Sequence, residues 1–300
     1  MVSILIPAYQ RIAVLKRCVE SVLPQVTPDM EVIIIDDGSQ DGTKEYLQQL
    51  AKENSTVKIH INAQNQGVNY TRNRGIEIAS KKYILFLDSD DELYEGSLAK
   101  VTAVLRSLPD TKHFLFIVSD RAEEFANQQG NRPLTYKDWI TTTIYGDFTH
   151  VVLTEIMKKF LFFEQYRAFE HLNWLRIKKI TAPQLIIPVV TTKRERDRED
   201  SLGNSFRYHS AAAIRANFEA EKFYYSYYHD DLKIHYPRAL NVNLLRTVVL
   251  GVASGQKSDS RNLLQYAGKG YVKLIGRLIT LLPSSFVRSA VIRRSASKAG

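Results

Sequence analysis

Three runs in the first ninety residues are apolar at almost every position and end in polar or acidic groups. They are Val2-Ser3-Ile4-Leu5-Ile6-Pro7-Ala8-Tyr9, Glu31-Val32-Ile33-Ile34-Ile35-Asp36-Asp37-Gly38-Ser39 and Tyr83-Ile84-Leu85-Phe86-Leu87-Asp88-Ser89-Asp90-Asp91. Short runs rich in branched and aromatic residues predict strands buried on both faces, the habit of parallel sheets. Between them the period changes. Ile12, Leu15, Cys18, Val19 and Val22 share one helical face, and Asp41 is placed to cap a helix through Glu45 to Lys52. A strand over 57–62, a helix over 68–80, a helix over 95–107 and a strand over His113–Val118 continue the alternation. The pattern predicts an α/β fold with a mostly parallel, doubly wound sheet, in which Pro7 stops the first strand and Gly38 permits a tight turn. Residues 120–133 read as a long loop, 135–190 as a second half ending in a strand over 185–190, and the mixed-charge run 191–200 as solvated surface or a mobile loop, with a lid over a diphosphate as the alternative.

The acids at the strand ends carry the candidate chemistry. Ligands of open α/β sheets bind beyond the carboxyl ends of the strands, and Asp36-Asp37 and Asp88-Ser89-Asp90-Asp91 both stand there. Carboxylates crowded at one edge repel one another unless a cation or a hydrogen-bond network holds them, so the edge reads as a hard-metal site of oxygen ligands. The plainer alternative is a loop of solvated acids capping the next helix. Tyr9 follows the first strand at the same edge and offers a flat face to a base.

Four segments in order, Ile6-Pro7-Ala8-Tyr9, Asp36-Asp37-Gly38-Ser39, Asn65-Gln66-Gly67 with Arg72-Asn73-Arg74-Gly75, and Leu87-Asp88-Ser89-Asp90-Asp91, closely resemble the family 2 glycosyltransferases of the GT-A fold. Each motif alone is weak, and four at compatible spacing are strong. The resemblance implies a nucleotide-sugar site built from Pro7, Tyr9, Asp37, Asn65, Gly67, Arg72, Asp88 and Ser89. It implies that Asp90, with Asp91, holds a divalent cation, magnesium or manganese, and that Asp37 accepts a hydrogen bond from a pyrimidine. Asp88 and Asp91 share a ribose contact and a further metal contact, without a unique assignment. A Glu-Asp pair usually opens a helix on the acceptor side of such enzymes; here Glu170-His171 stands in that region. Either side chain can take a proton from an acceptor hydroxyl, and Asp147 is a further candidate. The Gln-x-x-Arg-Trp signature of processive synthases is absent. The expectation is therefore inverting transfer of one sugar, from a UDP-sugar as the commonest donor, to a glycan or lipid-linked acceptor in lipopolysaccharide, O-antigen or capsule synthesis.

Charge adds a second feature. The net charge of the 300 residues is +9, and residues 257–300 carry nine basic residues against Asp259, leaving the rest almost neutral. In this tail Tyr271, Val272, Leu274, Ile275, Leu278, Ile279, Leu281 and Leu282 alternate with basic residues, and Phe286, Val287, Val291 and Ile292 continue the theme past Pro283, a composition suited to an anionic bilayer surface. The alternative is a pair of helices packed on the catalytic domain with solvated basic faces, or a partly disordered tail. The expected organisation is a catalytic domain over 1–240, with a donor half at 1–110 and an acceptor half at 111–240, followed by a helical, basic, membrane-associating extension over 241–300. One cysteine, no apolar run long enough to span a bilayer and an opening directly on strand residues predict a cytoplasmic protein, peripheral at the inner face of the membrane. Dinucleotide oxidoreductases are disfavoured because no Gly-x-Gly-x-x-Gly follows a strand. A non-catalytic membrane-surface or polyanion-binding module explains the tail but leaves the clustered acids without a purpose.

Overall fold

The computed structural model describes residues 1–166, 169–194 and 208–296. The chain divides into two compact units, Met1–Trp139 with Ile144–Arg196, and Ile140–Thr143 with Asp197–Gly300.

The first unit is built on one sheet. Strands β1 (Val2–Ala8), β2 (Glu31–Asp36), β3 (Val57–Ile61) and β4 (Tyr83–Phe86) alternate with helices α1 (Ile12–Val22), α2 (Thr43–Glu53) and α3 (Val68–Ile78). These four strands run parallel in the order β3-β2-β1-β4. Their side chains alternate between two apolar layers. Ile4, Ile6, Val32 and Ile34 pack with Leu15, Cys18 and Val19 of α1, while Leu5, Ile33, Ile35 and Ile84 pack on the other face with Ile76, Trp174 and Ile177. Burial on both faces is why these strands read as unbroken apolar runs.

The sheet continues through β8 (Thr149–Leu153), β6 (His113–Val118), β9 (Gln184–Lys193) and the short β5 (Glu92–Leu93), with β7 (Arg132–Leu134) also paired to β9. Here the direction changes. The β4–β8, β6–β8, β7–β9 and β5–β9 pairs are antiparallel, and only β6–β9 is parallel. The sheet is thus parallel through its first four strands and mixed beyond them, more so than the sequence pattern implied. Pro7 does not stop β1 but lies inside it, opposite Ile35; β4 pairs with β1 only as far as Leu5, so the missing N–H removes no bond on that side. Helices α4 (Ser97–Ser107), α5 (Tyr136–Ile140), α6 (Thr154–Lys159) and α7 (Glu170–Thr181) complete this part of the chain. Residues 120–133 hold two short 3-10 turns and the start of β7, and residues 195–200 of the mixed-charge run lie outside the described residues.

The second unit is helical: α8 (Ala211–His235), α9 (Pro237–Ala253), α10 (Lys257–Leu263), α11 (Gly270–Leu281) and α12 (Ser284–Ala296). Ser210 caps α8 by accepting the Ala213 N–H, and Pro237 occupies the first turn of α9. Ile214, Phe218, Tyr225, Tyr228, Leu244 and Val248 are buried. The described helices of this unit begin at 211, and the division between compact units falls at 196/197; α8 and α9 pack on each other, and a cut at 240/241 would separate them. Among the described residues no single helix is long and apolar enough to cross a membrane; α11 and α12 pass on composition only as a pair bent by 106°.

Candidate active site

Every candidate site residue from the sequence lies in the first unit, with Tyr9, Asp37 and the acids 88–91 just beyond the carboxyl ends of β1, β2 and β4. Tyr9 follows β1 directly and is 42% exposed. The next residue, Gln10, has φ +51°, and its N–H donates to Ser39 Oγ at 2.8 Å. A left-handed non-glycine residue costs about 1 kcal/mol or more, so the bond to the Asp-Asp-Gly-Ser turn is what holds the chain here. In that turn Asp36 is fully buried and accepts both the N–H and the hydroxyl of Ser39, while burial holds its carboxyl above the usual range. Gly38 has φ +80°, and a Cβ there would stand 2.9 Å from the backbone of Gln64. Any larger residue would push the two loops apart.

Asp37 is turned toward the same neighbouring loop. It accepts Asn62 Nδ2 at 2.8 Å, the Gln66 N–H at 2.9 Å and the Gly67 N–H at 2.8 Å. A carboxylate has about four acceptor positions, so one remains for an incoming donor. Asn65 is half-buried in this loop, and Gly67 leads into α3.

The acids after β4 form a tight turn in which the Asp91 N–H donates to the Asp88 carbonyl. Cys18 supports it from below, its thiol donating to the Asp88 carbonyl at 3.6 Å. Ser89 is buried and Asp88 is half exposed. Two arginines hold the outer acids: Arg11 Nη1 donates to Asp90 Oδ2 at 2.7 Å, and Arg72 Nη2 donates to Asp88 Oδ1 at 2.7 Å. Burial, reinforced by Asp88 and Asp90 and opposed by Arg194, pushes the Asp91 carboxyl up to about 8.

Arg72 is the centre of the arrangement. It is 4% exposed and lies in α3, with its second terminal nitrogen, Nη1, paired to Glu170 Oε2 at the first turn of α7. One buried guanidinium thus ties the β4 acid turn to the first turn of α7. The two carboxylates hold its pKa above the usual value against the effect of burial. Burial likewise pushes the Glu170 carboxyl up, against the pull of Arg72. His171 is exposed and lies edge-on to the Phe169 ring. A second bridge runs through Arg194, whose Nη1 donates to Asp147 at 2.9 Å and whose Nε lies 3.7 Å from Asp91.

Among the described residues no three acidic, histidine or cysteine side chains converge into a ready-made cage for a metal ion. The donor set nonetheless fits a hard divalent cation. Such ions take one or two protein carboxylates and fill the remaining positions with water and substrate phosphates, and the turn after β4 brings the oxygen donors Asp88, Asp90 and Asp91 together on four successive residues. Asp90 and Asp91 are the residues that would hold it.

Several contributors were not singled out from sequence. Arg11 and Arg194 act across long separations that no local spacing reveals. Asn73 lies within a quoted motif, yet its role is structural: its amide donates to the Phe162 carbonyl and accepts the Phe162 N–H. Asn69 donates to the carbonyls of Phe163 and Tyr166. Together they strap the segment before α7 to α3, which is how Glu170 comes to face Arg72.

Comparison with known proteins places this geometry. The profile described as Glycosyl transferase family 2 matches residues 3–167, more than half of the chain. The GalNAc(5)-diNAcBac-PP-undecaprenol beta-1,3-glucosyltransferase of Campylobacter jejuni is 27% identical over 185 residues, which are 59% of each protein. The chain spans about three fifths of the length of the first two curated relatives and between a fifth and two fifths of the others. Among solved structures, S. aureus TarS in complex with UDP-GlcNAc aligns over 93% of this chain and 90% of its own at 16% identity, TM-score 0.57. The mannosyltransferase PcManGT of Pyrobaculum calidifontis in complex with GDP-Man and Mn2+ aligns over 99% and 86% at 15% identity, TM-score 0.56. These likenesses show a GT-A fold. The acid turn after β4, the Asp-Asp-Gly-Ser turn after β2 and the arginine between them all fall inside the matched segment, and the chain belongs to glycosyl transferase family 2.

Proposed function

We propose that this chain transfers one sugar, with inversion, from a nucleoside-diphosphate sugar to a glycan or lipid-linked acceptor in the synthesis of a bacterial surface polysaccharide. UDP is the favoured carrier. The observation that carries the reading is the Arg72 bridge, which joins the donor-side Asp88 to the acceptor-side Glu170 through one buried cation. The name of the Campylobacter jejuni relative supports a lipid-linked acceptor, and the UDP-GlcNAc complex of the structural neighbour supports a UDP-sugar donor.

In this reading Tyr9 lies against the base, and Asp37, three donors already on its carboxylate, uses its remaining position for a base N–H. Pro7, Asn65, Gly67 and Ser89 shape the walls, and Asp88 contacts the ribose. A cation on Asp90 and Asp91 would neutralise charge building on the leaving diphosphate. Glu170 takes the proton of the attacking hydroxyl. Its raised pKa makes it a stronger base than an ordinary carboxylate, and Arg72 fixes its orientation. His171 is the second candidate base and Asp147 the third. In this reading the protein works at the inner face of the membrane, peripheral to it, because the acceptor it meets there is lipid-linked.

The test is transfer from UDP-, GDP- and dTDP-sugars to polyprenyl-diphosphate-linked saccharide. Glu170→Gln is expected to lower kcat by about 10²-fold or more while nucleotide binding holds, and wild-type activity is expected to fall on acidification at a pH above the ordinary glutamate range. Turnover of Glu170→Gln within tenfold of wild type would remove Glu170 from this role and pass it to His171.

A further inference from the structure

Helix α11 is amphipathic in the wrong sense for a helix that only packs on its own domain. Its buried face is made of small residues, Val272, Gly276 and Thr280. The approach there is close, since a Cβ on Gly276 would stand 2.3 Å from Leu264 Cδ2. Its large apolar residues point away from that face. Tyr271, Leu274, Ile275, Leu278, Leu281 and Leu282 are between 41% and 68% exposed and recur at helical spacing as one stripe, and Phe286 at the start of α12 is 66% exposed. An exposed contiguous stripe of this size marks an interaction surface.

Beside the stripe runs a row of cations. Lys273 and Arg277 are exposed and one turn apart on the flank between the apolar stripe and the buried face. With Arg261 of α10 they line an open cleft of about 770 Å³ whose other walls include Leu264, Leu278 and Leu281. Arg261 is held in place by the bond from its Nε to Thr280 Oγ1 at 3.1 Å. The cleft therefore presents fixed positive charge immediately beside exposed leucines. That pairing complements a phospholipid, with an anionic phosphate in the cleft and acyl chains against the stripe.

We propose that α11 docks in the plane of an anionic bilayer, with Arg261, Lys273 and Arg277 receiving a lipid phosphate and the stripe from Tyr271 to Leu282 entering the acyl boundary. The geometry favours an in-plane helix over a crossing one. Twelve residues of helix span about 18 Å, short of the roughly 30 Å hydrocarbon core, and the 106° bend before α12 prevents the two helices from forming one straight span. The proposal deepens the membrane-side reading above and rests on it; its residues are separate from the nucleotide site.

The test is co-sedimentation of the full chain with vesicles of phosphatidylcholine alone or with 30% phosphatidylglycerol, at low and high salt. The variants are the triple charge change Arg261→Gln, Lys273→Gln, Arg277→Gln and, separately, Leu274→Ser with Leu278→Ser. Wild type is expected to pellet with the anionic vesicles at low salt and at least about tenfold less with neutral ones. Each variant is expected to lose about tenfold or more of that binding. Calorimetric UDP binding with manganese checks that the variants keep their fold, and its absence from every protein would sink the catalytic reading without touching the docking result. No pelleting of wild type overturns the membrane reading and the docking surface together. Wild-type pelleting that both variants retain, or equal binding to neutral vesicles, overturns the docking surface alone. A leucine variant that changes the oligomeric mass, with no vesicle binding by wild type, would assign the stripe to a second copy of the chain.

Discussion

Replacing Arg72 by lysine keeps one positive charge but removes the fork that reaches Asp88 and Glu170 at once. The guanidinium is 4% exposed, with one terminal nitrogen 2.7 Å from Asp88 and the other on Glu170. An ammonium is a point donor on a flexible stem and serves one carboxylate well. The variant is therefore expected to lose one buried charge-assisted hydrogen bond, about 1.5–3 kcal/mol. Removing the charge entirely, as in Arg72→Met, leaves two carboxylates uncompensated and is expected to cost about 3–5 kcal/mol. A double-mutant cycle with Glu170→Gln isolates the second arm of the bridge, with a coupling of about 1.5–3 kcal/mol expected. Urea unfolding followed by tryptophan fluorescence suits the measurement, because both tryptophans, Trp139 and Trp174, lie in the first unit and report on it alone. Trp174 packs against Phe86 and Phe162 directly beside the bridge. A coupling below about 0.5 kcal/mol would mean that Arg72 and Glu170 act independently, and the account of how donor and acceptor sides are joined would fail.

Two further predictions concern groups away from the acids. Glu31 is 4% exposed; burial pushes its carboxyl up, but Lys58, Ser3 and Ser80 together bring it down from 4.5 to about 2. Because the folded value lies below the unfolded one, this stabilisation, about 3 kcal/mol, is present above pH 4.5 and lost as pH falls toward 2. Glu31→Gln should lower the urea midpoint at pH 7 and much less at pH 3; an equal loss at both would show that the charge contributes nothing. Lys178 is buried with its Nζ 3.3 Å from the centre of the Trp139 ring, and burial lowers its pKa from 10.5 to about 7. The unfolded chain then binds the extra proton between pH 7 and 10.5, so stability rises with pH across that window. Lys178→Met is expected to raise the Tm at pH 7, by about 1–3 kcal/mol of stability, and to gain less at pH 10. A destabilised variant at pH 7 would show that the contact with Trp139 outweighs the cost of burying the amine.

Much of the parallel part of the sheet was legible because it is local. β1, β2 and β4 are buried on both faces, so each reads as an unbroken apolar run, and the residues that follow are the loops of the cleft. The α1 face of Leu15, Cys18, Val19 and Val22 is buried as its spacing implied, and Glu170 opens a helix as the resemblance implied. What failed to show was set by distant contacts. Strand direction in β6, β8 and β9 depends on how long connections return to the sheet, which periodicity does not encode. β5 has two residues and is defined by its pairing to β9. His113 and His150 form a buried pair at 2.8 Å with His150 stacked on Trp174, an arrangement with no signature in three isolated positions. The three donors that Asp37 takes from Asn62, Gln66 and Gly67 belong to a loop whose approach no spacing encodes. The start of the helices at 211 was not legible because α8 mixes aromatic, charged and small residues and offers no clean apolar stripe.

The most direct test of the central claim, a nucleoside-diphosphate site completed by a divalent cation at the acid turn, is calorimetric titration of UDP, GDP and dTDP with and without manganese, repeated on Asp90→Asn. The account predicts that one nucleotide binds, that binding requires the cation, and that Asp90→Asn abolishes it while the protein stays folded. Nucleotide binding that ignores both manganese and the Asp90 substitution, or no binding by the wild type under any condition, would contradict it.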